Sequence, residues 1–193
     1  LVRVRPGFEE SLAAELAVIF ERIPHRDLAV QWDCAWEVQA VSGAAPASSS
    51  EAEIETHVAP IRRLSAAIPT GVQLGFHFCF GTFGGWPAVA PATLDRTIEL
   101  VNAAVAGCGR RVDWVHIPVL NTTEDKFYAP LAGLKAKGGD VYLGAIHSMP
   151  TLKARIDVAR KYLPRFGLAA YCGFGRTPPE QLPQLLADHL EAV

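Results

Sequence analysis

Five apolar, strand-length runs alternate with helical segments along this chain, and that alternation predicts a parallel α/β fold. Two further observations support it. The strands read as near-continuous apolar runs, as expected when helices cover a parallel sheet. A helical segment also follows the last strand, as in a (β/α) barrel. A closed barrel of that type needs eight strands. The chain therefore reads either as an open five-stranded sheet or as the last five units of a (β/α)8 TIM barrel. A leading helix with no strand before it, and a first residue other than Met, favour the second option. The expectation is one domain over residues 1–193, carrying strands four to eight of a TIM barrel.

The first helix is expected over FEESLAAELAVIFERI (8–23), where apolar residues recur at three- and four-residue spacing. LAVQWDCAWEV (28–38) reads as the first strand. AVSGAAPASSS (40–50) reads as a loop on the active face rather than a domain boundary. Ser48, Ser49 and Ser50 offer N-caps to a helix over EAEIETHVAPIRRLSAAI (51–68). GVQLGFHFCFG (71–81) is the second strand, ATLDRTIELVNAAVAGC (92–108) the next helix and RVDWVHIPVL (111–120) the third strand. A helix over FYAPLAGLKAK (127–137), a strand over DVYLGAIHSM (140–149) and a helix over LKARIDVARKYL (152–163) follow. FGLAAYCGFG (166–175) is the last strand. PEQLPQLLADHLEAV (179–193) is the last helix, with Pro178 and Pro179 suited to its first turn.

Composition excludes several roles. A formal net charge of −2, with only 20% charged residues, leaves no electrostatic footprint for nucleic acid or an anionic membrane. The longest apolar runs are strand-sized, short of the ~20 residues a membrane span needs. LVRVRPGFEE has no apolar core of a signal peptide behind a basic start. Cys34, Cys79, Cys108 and Cys172 follow no disulfide-rich spacing, so reduced thiols and a cytoplasmic location are the expectation. Cys34 and Cys108 read as small buried hydrophobes. His25, His57 and His189 fall on helices or turns and read as surface residues.

Side-chain parity locates the candidate site. Residues two apart share a strand face. Leu74, Phe76, Phe78 and Phe80 form a bulky apolar face, so Gln73, Gly75, His77 and Cys79 form the other. His77 and Cys79 thus project together at a strand's C-terminal end, where parallel α/β folds hold their active sites. By the same test Val30, Trp32, Cys34 and Trp36 oppose Gln31, Asp33, Ala35 and Glu37. Val115, Ile117 and Val119 oppose Trp114, His116 and Pro118. His147 and Cys172 lie at the ends of the fourth and fifth strands, so all five strands end in polar or sulfur-bearing residues.

QWDCAWE (31–37), HFCFG (77–81), VDWVHIPV (112–119), YLGAIH (142–147) and YCGFGR (171–176) together carry a resemblance over nearly the whole chain. In these blocks, their order and their spacing it resembles the C-terminal domain of cobalamin-independent methionine synthase and its uroporphyrinogen-decarboxylase-like relatives, as an uncharacterised branch. The resemblance implies a TIM barrel and a zinc ion held by His77, Cys79 and Cys172. The glutamate that completes the set in methionine synthase is replaced here by Pro118. His116, one inward step earlier, is the candidate to stand in, and it counts with His147 among the catalytic candidates. The resemblance gives His147 a proton-transfer role and Asp33 contact with an amino acid substrate. Gln31 and Glu37 would join Asp33 at the polar end of the substrate, and Arg176 would pair with a carboxylate or phosphate. Trp36, Phe83 and Trp86 would wall the mouth, with Asp125 and Tyr128 lining the cleft.

The implied activity is methyl or other alkyl transfer to a zinc-activated thiol, with a small-molecule thiol and a methyl donor as partners. Neither nucleic acid nor membrane is implied, and a homo-oligomer is compatible. Two alternatives stay open. One is a metal-free decarboxylase- or lyase-like enzyme acting on a small carboxylate. The other is a non-catalytic barrel fragment whose exposed strand edges need a partner.

Overall fold

A computed structural model describes residues 4–43, 51–136 and 138–192. Its centre is a five-stranded, all-parallel sheet in the order β1-β2-β3-β4-β5. The strands are β1 (Ala29–Cys34), β2 (Gln73–Phe78), β3 (Trp114–Pro118), β4 (Asp140–Ile146) and β5 (Gly167–Ala170). Strictly consecutive order is what a (β/α) barrel requires, whereas a doubly wound sheet reverses its order part-way. The sheet is compatible with part of a barrel, and among the described residues β1 and β5 each pair on one side only.

The helices are α1 (Arg5–Arg22), α2 (Ala35–Ser42), α3 (Glu51–Ala66), α4 (Asp95–Gly107), α5 (Asp125–Tyr128), α6 (Met149–Arg160) and α7 (Leu182–Glu191). None is long and apolar enough to cross a membrane. The core lies between one sheet face and α2, α3, α4 and α6. Leu74, Phe76 and Phe78 of β2 pack there with Val58, Val101, Leu152 and Ala159. Each large side chain buried this way contributes roughly 1.5–3 kcal/mol. Cys34 and Cys108 are in this core, as their packing reading expects. The helices at the chain's two ends differ. No residue of α1 or α7 is buried, and Phe8, Leu186 and Leu190 are exposed.

Three elements depart from expectation, the last strand among them, which ends at Ala170 so that Cys172 follows it in a bend. The first strand stops at Cys34, and the chain turns straight into α2. Ala35, Trp36, Glu37 and Val38 alternate like a strand, but Val38 and Val41 are the buried pair, and their spacing is helical. Trp36 consequently stands out in solvent. The helix expected over 127–137 is instead one turn, α5, followed by a 3-10 turn over Ala129–Gly133. Pro130 has no N–H for the ladder, which stops α-helical propagation. The proposed caps Ser48, Ser49 and Ser50 lie outside the described residues.

Two arginines secure the sheet's connections. Arg110 donates from one guanidinium nitrogen to the carbonyls of Ile68 and Pro69, at 2.7 Å each. Arg155 on α6 is 1% exposed and donates to the carbonyls of Ala145 and Ser148 at 2.9 and 2.7 Å, and to Thr151 Oγ1 at 3.1 Å. It therefore ties the turn after β4 to the helix that follows. Arg155→Met should lower stability by roughly 2–4 kcal/mol in urea unfolding, because buried carbonyls lose their donors. An unchanged midpoint would contradict this role.

Candidate metal centre

The inner face of the sheet is built in rows. Parallel pairing puts Asp33 opposite His77, His77 opposite His116 and His116 opposite Tyr142. Register partners share a face, so four polar side chains from four strands line up. The row below holds Gln31, Gly75 and Trp114. A Cβ on Gly75 would lie 1.8 Å from the Trp114 ring, so only glycine lets that indole lie across β2. Trp114 Nε1 thereby reaches Gln31 Oε1 at 3.2 Å, and Gln31 Nε2 donates to Asp33 Oδ1 at 2.9 Å.

Above this floor His77, Cys79 and Cys172 converge. One ligand atom from each lies within 4.8 Å of the others, and His77 and Cys79 are buried. The cluster could hold a metal ion. The Cys79 thiol donates toward Cys172 Sγ at 3.4 Å, and Gly81 N–H donates to Cys79 Sγ at 3.2 Å. The shared proton sets the ionisation. Cys79, acting as donor and buried, is pushed above the usual thiol range. Cys172, receiving that bond with His77 beside it, is held well below it. Cys172 is thus the first thiolate of the pair.

Two observations test the fit to a metal. Nε2 of His77 is buried without a hydrogen-bond partner, an orphaned atom that a cation would satisfy. One imidazole and two thiolates also form a donor set suited to a soft dication. Pro118 supplies no fourth donor, and His116 is not among the converging three. Its Nδ1 lies 2.7 Å from Nδ1 of His77 instead. Burial, with His77 adding to it, pushes His116 down to about 3, so the ring is neutral.

No protein-family model and no curated protein matches the chain.

A cavity of about 680 Å³ opens over the centre, lined by Gln31, Asp33, His77, His116, Cys172 and Arg176, with Thr82 beside them. Five of the six substrate and metal candidates outside Cys79 thus meet in one place, with His116 alongside. Arg176 is fixed by donating to Thr82 Oγ1 at 2.7 Å. Glu37, the remaining candidate, rides on α2 and lines a separate groove between α1 and α3 with Phe8 and Ile61, because the chain has already turned helical. Of the expected mouth aromatics, Trp36 and Phe83 are solvent-exposed. Trp86 packs against His147 and Tyr171, at ring separations of 4.6 and 4.5 Å.

His147 does not line the cavity. Its Nε2 lies 2.9 Å from the Val119 carbonyl and 3.0 Å from an Arg155 nitrogen, and burial followed by the Arg155 charge lowers its pKa to about 4. Asp125 and Tyr128 also stand away from the cleft. Asp125 is exposed and accepts from Lys161 at 2.6 Å, while Tyr128 is fully buried and donates to the Thr122 carbonyl. Of the other histidines His25 is exposed, whereas His57 and His189 are half-buried on helices.

The parity argument put Trp114 and Gly75 on the inner face without giving them a role, and it did not reach Thr82 or Arg155. A glycine inside a strand signals close approach, and Arg155 shares the apolar stripe of Leu152 and Ala159, so both left a trace in the sequence.

Two outcomes follow from this geometry. Mild oxidation of the metal-free chain with diamide, which takes up two hydrogens, should join Cys79 to Cys172 while Cys34 and Cys108 stay reduced. Peptide mapping in which another pair forms instead would contradict the 3.4 Å approach. His147, depressed in the folded chain, favours the native state above pH 6.5 and loses that contribution as pH falls toward about 4. Urea midpoints should therefore fall over that window, and fall less in His147→Asn.

Proposed function

We propose that the chain is a zinc-dependent alkyltransferase that activates a thiol, of the cobalamin-independent methionine synthase and uroporphyrinogen-decarboxylase-like type. The observation that carries this reading is the convergence of His77, Cys79 and Cys172 at the base of a cavity lined by Asp33, Gln31 and Arg176. It agrees with the motifs that suggested the resemblance.

His77, Cys79 and Cys172 would hold the ion, and with Pro118 where methionine synthase has glutamate, the protein supplies three donors. Three protein ligands and one open position are the arrangement of catalytic rather than structural zinc. Zinc bound there would keep a substrate thiol deprotonated at neutral pH.

The chain's own residues do the remaining work. Asp33, oriented by Gln31, presents a carboxylate to a cationic group such as an amine. Arg176, held by Thr82, presents a guanidinium to a carboxylate. Opposite charges lining one cavity suit a small zwitterionic thiol. Trp114, held by Gln31 and seated over Gly75, closes the floor and keeps that surface in place. His147, which the resemblance gives a proton-transfer role, stands outside the cavity with Nε2 2.9 Å from the Val119 carbonyl and 3.0 Å from an Arg155 nitrogen.

The metal-free alternative on a small carboxylate draws on Arg176, which among the described residues is the one lysine or arginine lining the cavity. A polyanionic substrate would need more.

Protein purified without chelator, or reconstituted with zinc, should hold about one equivalent by elemental analysis. His77→Ala and Cys172→Ser should each lose it. Zinc-loaded protein should then transfer a methyl group to a small amino-acid thiol in a screen read by mass spectrometry, and Arg176→Met should raise KM for carboxylate-bearing acceptors. Zinc content far below one that stays low after reconstitution, and is unchanged in His77→Ala, would sink the reading.

A further inference from the structure

His116 touches a donor of the proposed centre without being a donor itself. It is the register partner of His77 on the neighbouring strand, and the two Nδ1 atoms lie 2.7 Å apart. A histidine binds a cation through a lone pair, and the hydrogen bond at its other ring nitrogen decides which nitrogen offers it. Nδ1 of His77 is engaged by His116, whereas Nε2 is buried and unpartnered. The lone pair available to a cation is therefore on Nε2, which requires the ring proton on Nδ1. That proton needs an acceptor, and Nδ1 of His116 is in place to receive it.

The arrangement fixes His116 as well. With Nδ1 accepting, its own proton sits on Nε2. That nitrogen lies over β4, 2.8 Å from where a Cβ on Gly144 would stand, and any side chain there would displace the ring. Nε2 of His116 is buried without a partner over Gly144, and the ring is not among the three side chains that converge, so it does not complete the ligand set.

We propose that His116 is a positioning residue: by accepting the Nδ1 proton of His77 it holds that ring in the one tautomer and orientation whose Nε2 lone pair faces Cys79 and Cys172. The proposal rests on the metal-centre reading above and assigns the histidine a role that replaces direct ligation. Outer hydrogen-bond partners of this kind typically alter metal affinity by about 10- to 100-fold.

The test uses Co²⁺ and Zn²⁺ alone as probes on the full chain. Two variants separate hydrogen bonding from packing. His116→Leu fills the space without an acceptor, and His116→Asn retains an acceptor oxygen near the Nδ1 position. His116→Leu should weaken Co²⁺ binding about 10- to 100-fold in a chelator competition. Its thiolate-to-cobalt absorption should persist at saturation, since both cysteines remain. His116→Asn should recover most of the lost affinity. In zinc-loaded wild type, nitrogen–proton NMR should show His77 protonated on Nδ1 with a slowly exchanging proton, and His116→Leu should lose that slow exchange. Circular dichroism melts of the metal-free variants confirm that each is folded.

Equal affinity in folded His116→Leu and wild type would overturn the proposal. So would equal losses in Leu and Asn variants, which would make the effect one of packing. A change in the cobalt ligand-field bands signalling loss of a nitrogen ligand would overturn it by making His116 a donor. If wild type takes up neither metal, the centre itself fails and this role fails with it. Uptake that ignores His116 removes only the role.

Discussion

The in-phase register of β1, β2 and β3 is the constraint on which the site depends. Because Asp33 pairs with His77 and His77 with His116, three polar side chains from three strands must share one face at one height. A slip of one residue in β2 would turn His77 and Cys79 into the helix-packed core and bring Phe76 and Phe78 to the cavity. The apolar face therefore protects the polar one. Leu74, Phe76, Phe78 and Phe80 are completely buried, and no other register lets them be.

Space on the inner face is the second requirement. A row of indole and imidazole rings fits on adjacent strands only where the neighbour has no side chain. Gly75 makes room for Trp114, and Gly144 makes room for His116. Trp114, Gln31 and Asp33 then form a hydrogen-bonded chain across three strands, which fixes the carboxylate without a salt bridge. At the end of the neighbouring β4, Arg155 gathers the carbonyls of Ala145 and Ser148. His147 belongs to that supporting layer, with its polar edge bound to Val119 and Arg155 and its ring packed on Trp86.

Much of this was legible in the chain because a strand's period is two. Parity alone placed His77 and Cys79 together and aimed them away from the phenylalanines, and Cys172 was placed near the end of the last strand, two residues past where β5 stops. The same rule failed at Glu37 and Trp36. An alternating tetrapeptide is compatible with a short helix, and what decided the matter was burial of Val38 and Val41 against α3 and α4. Parity also says which face a residue is on, but not what its ring nitrogens touch. The turn of His116 toward His77, and of His147 away from the cavity, depend on glycine-sized gaps and on a buried arginine contributed by other elements. The parallel order of the strands was expected from their apolar runs.

The thiols of Cys79 and Cys172 are 93 positions apart in the chain. Everything between them, α4, α5 and α6 with β3, β4 and β5, must be in place before the sulfurs meet. Closing a loop of that length carries an entropic cost that local contacts do not repay, so contacts of this kind form late in folding. The cluster is therefore a checkpoint on assembly. A chain with a misplaced β3 or β4 would keep its cysteines but scatter them, so the three converging side chains meet only when the strand order is intact.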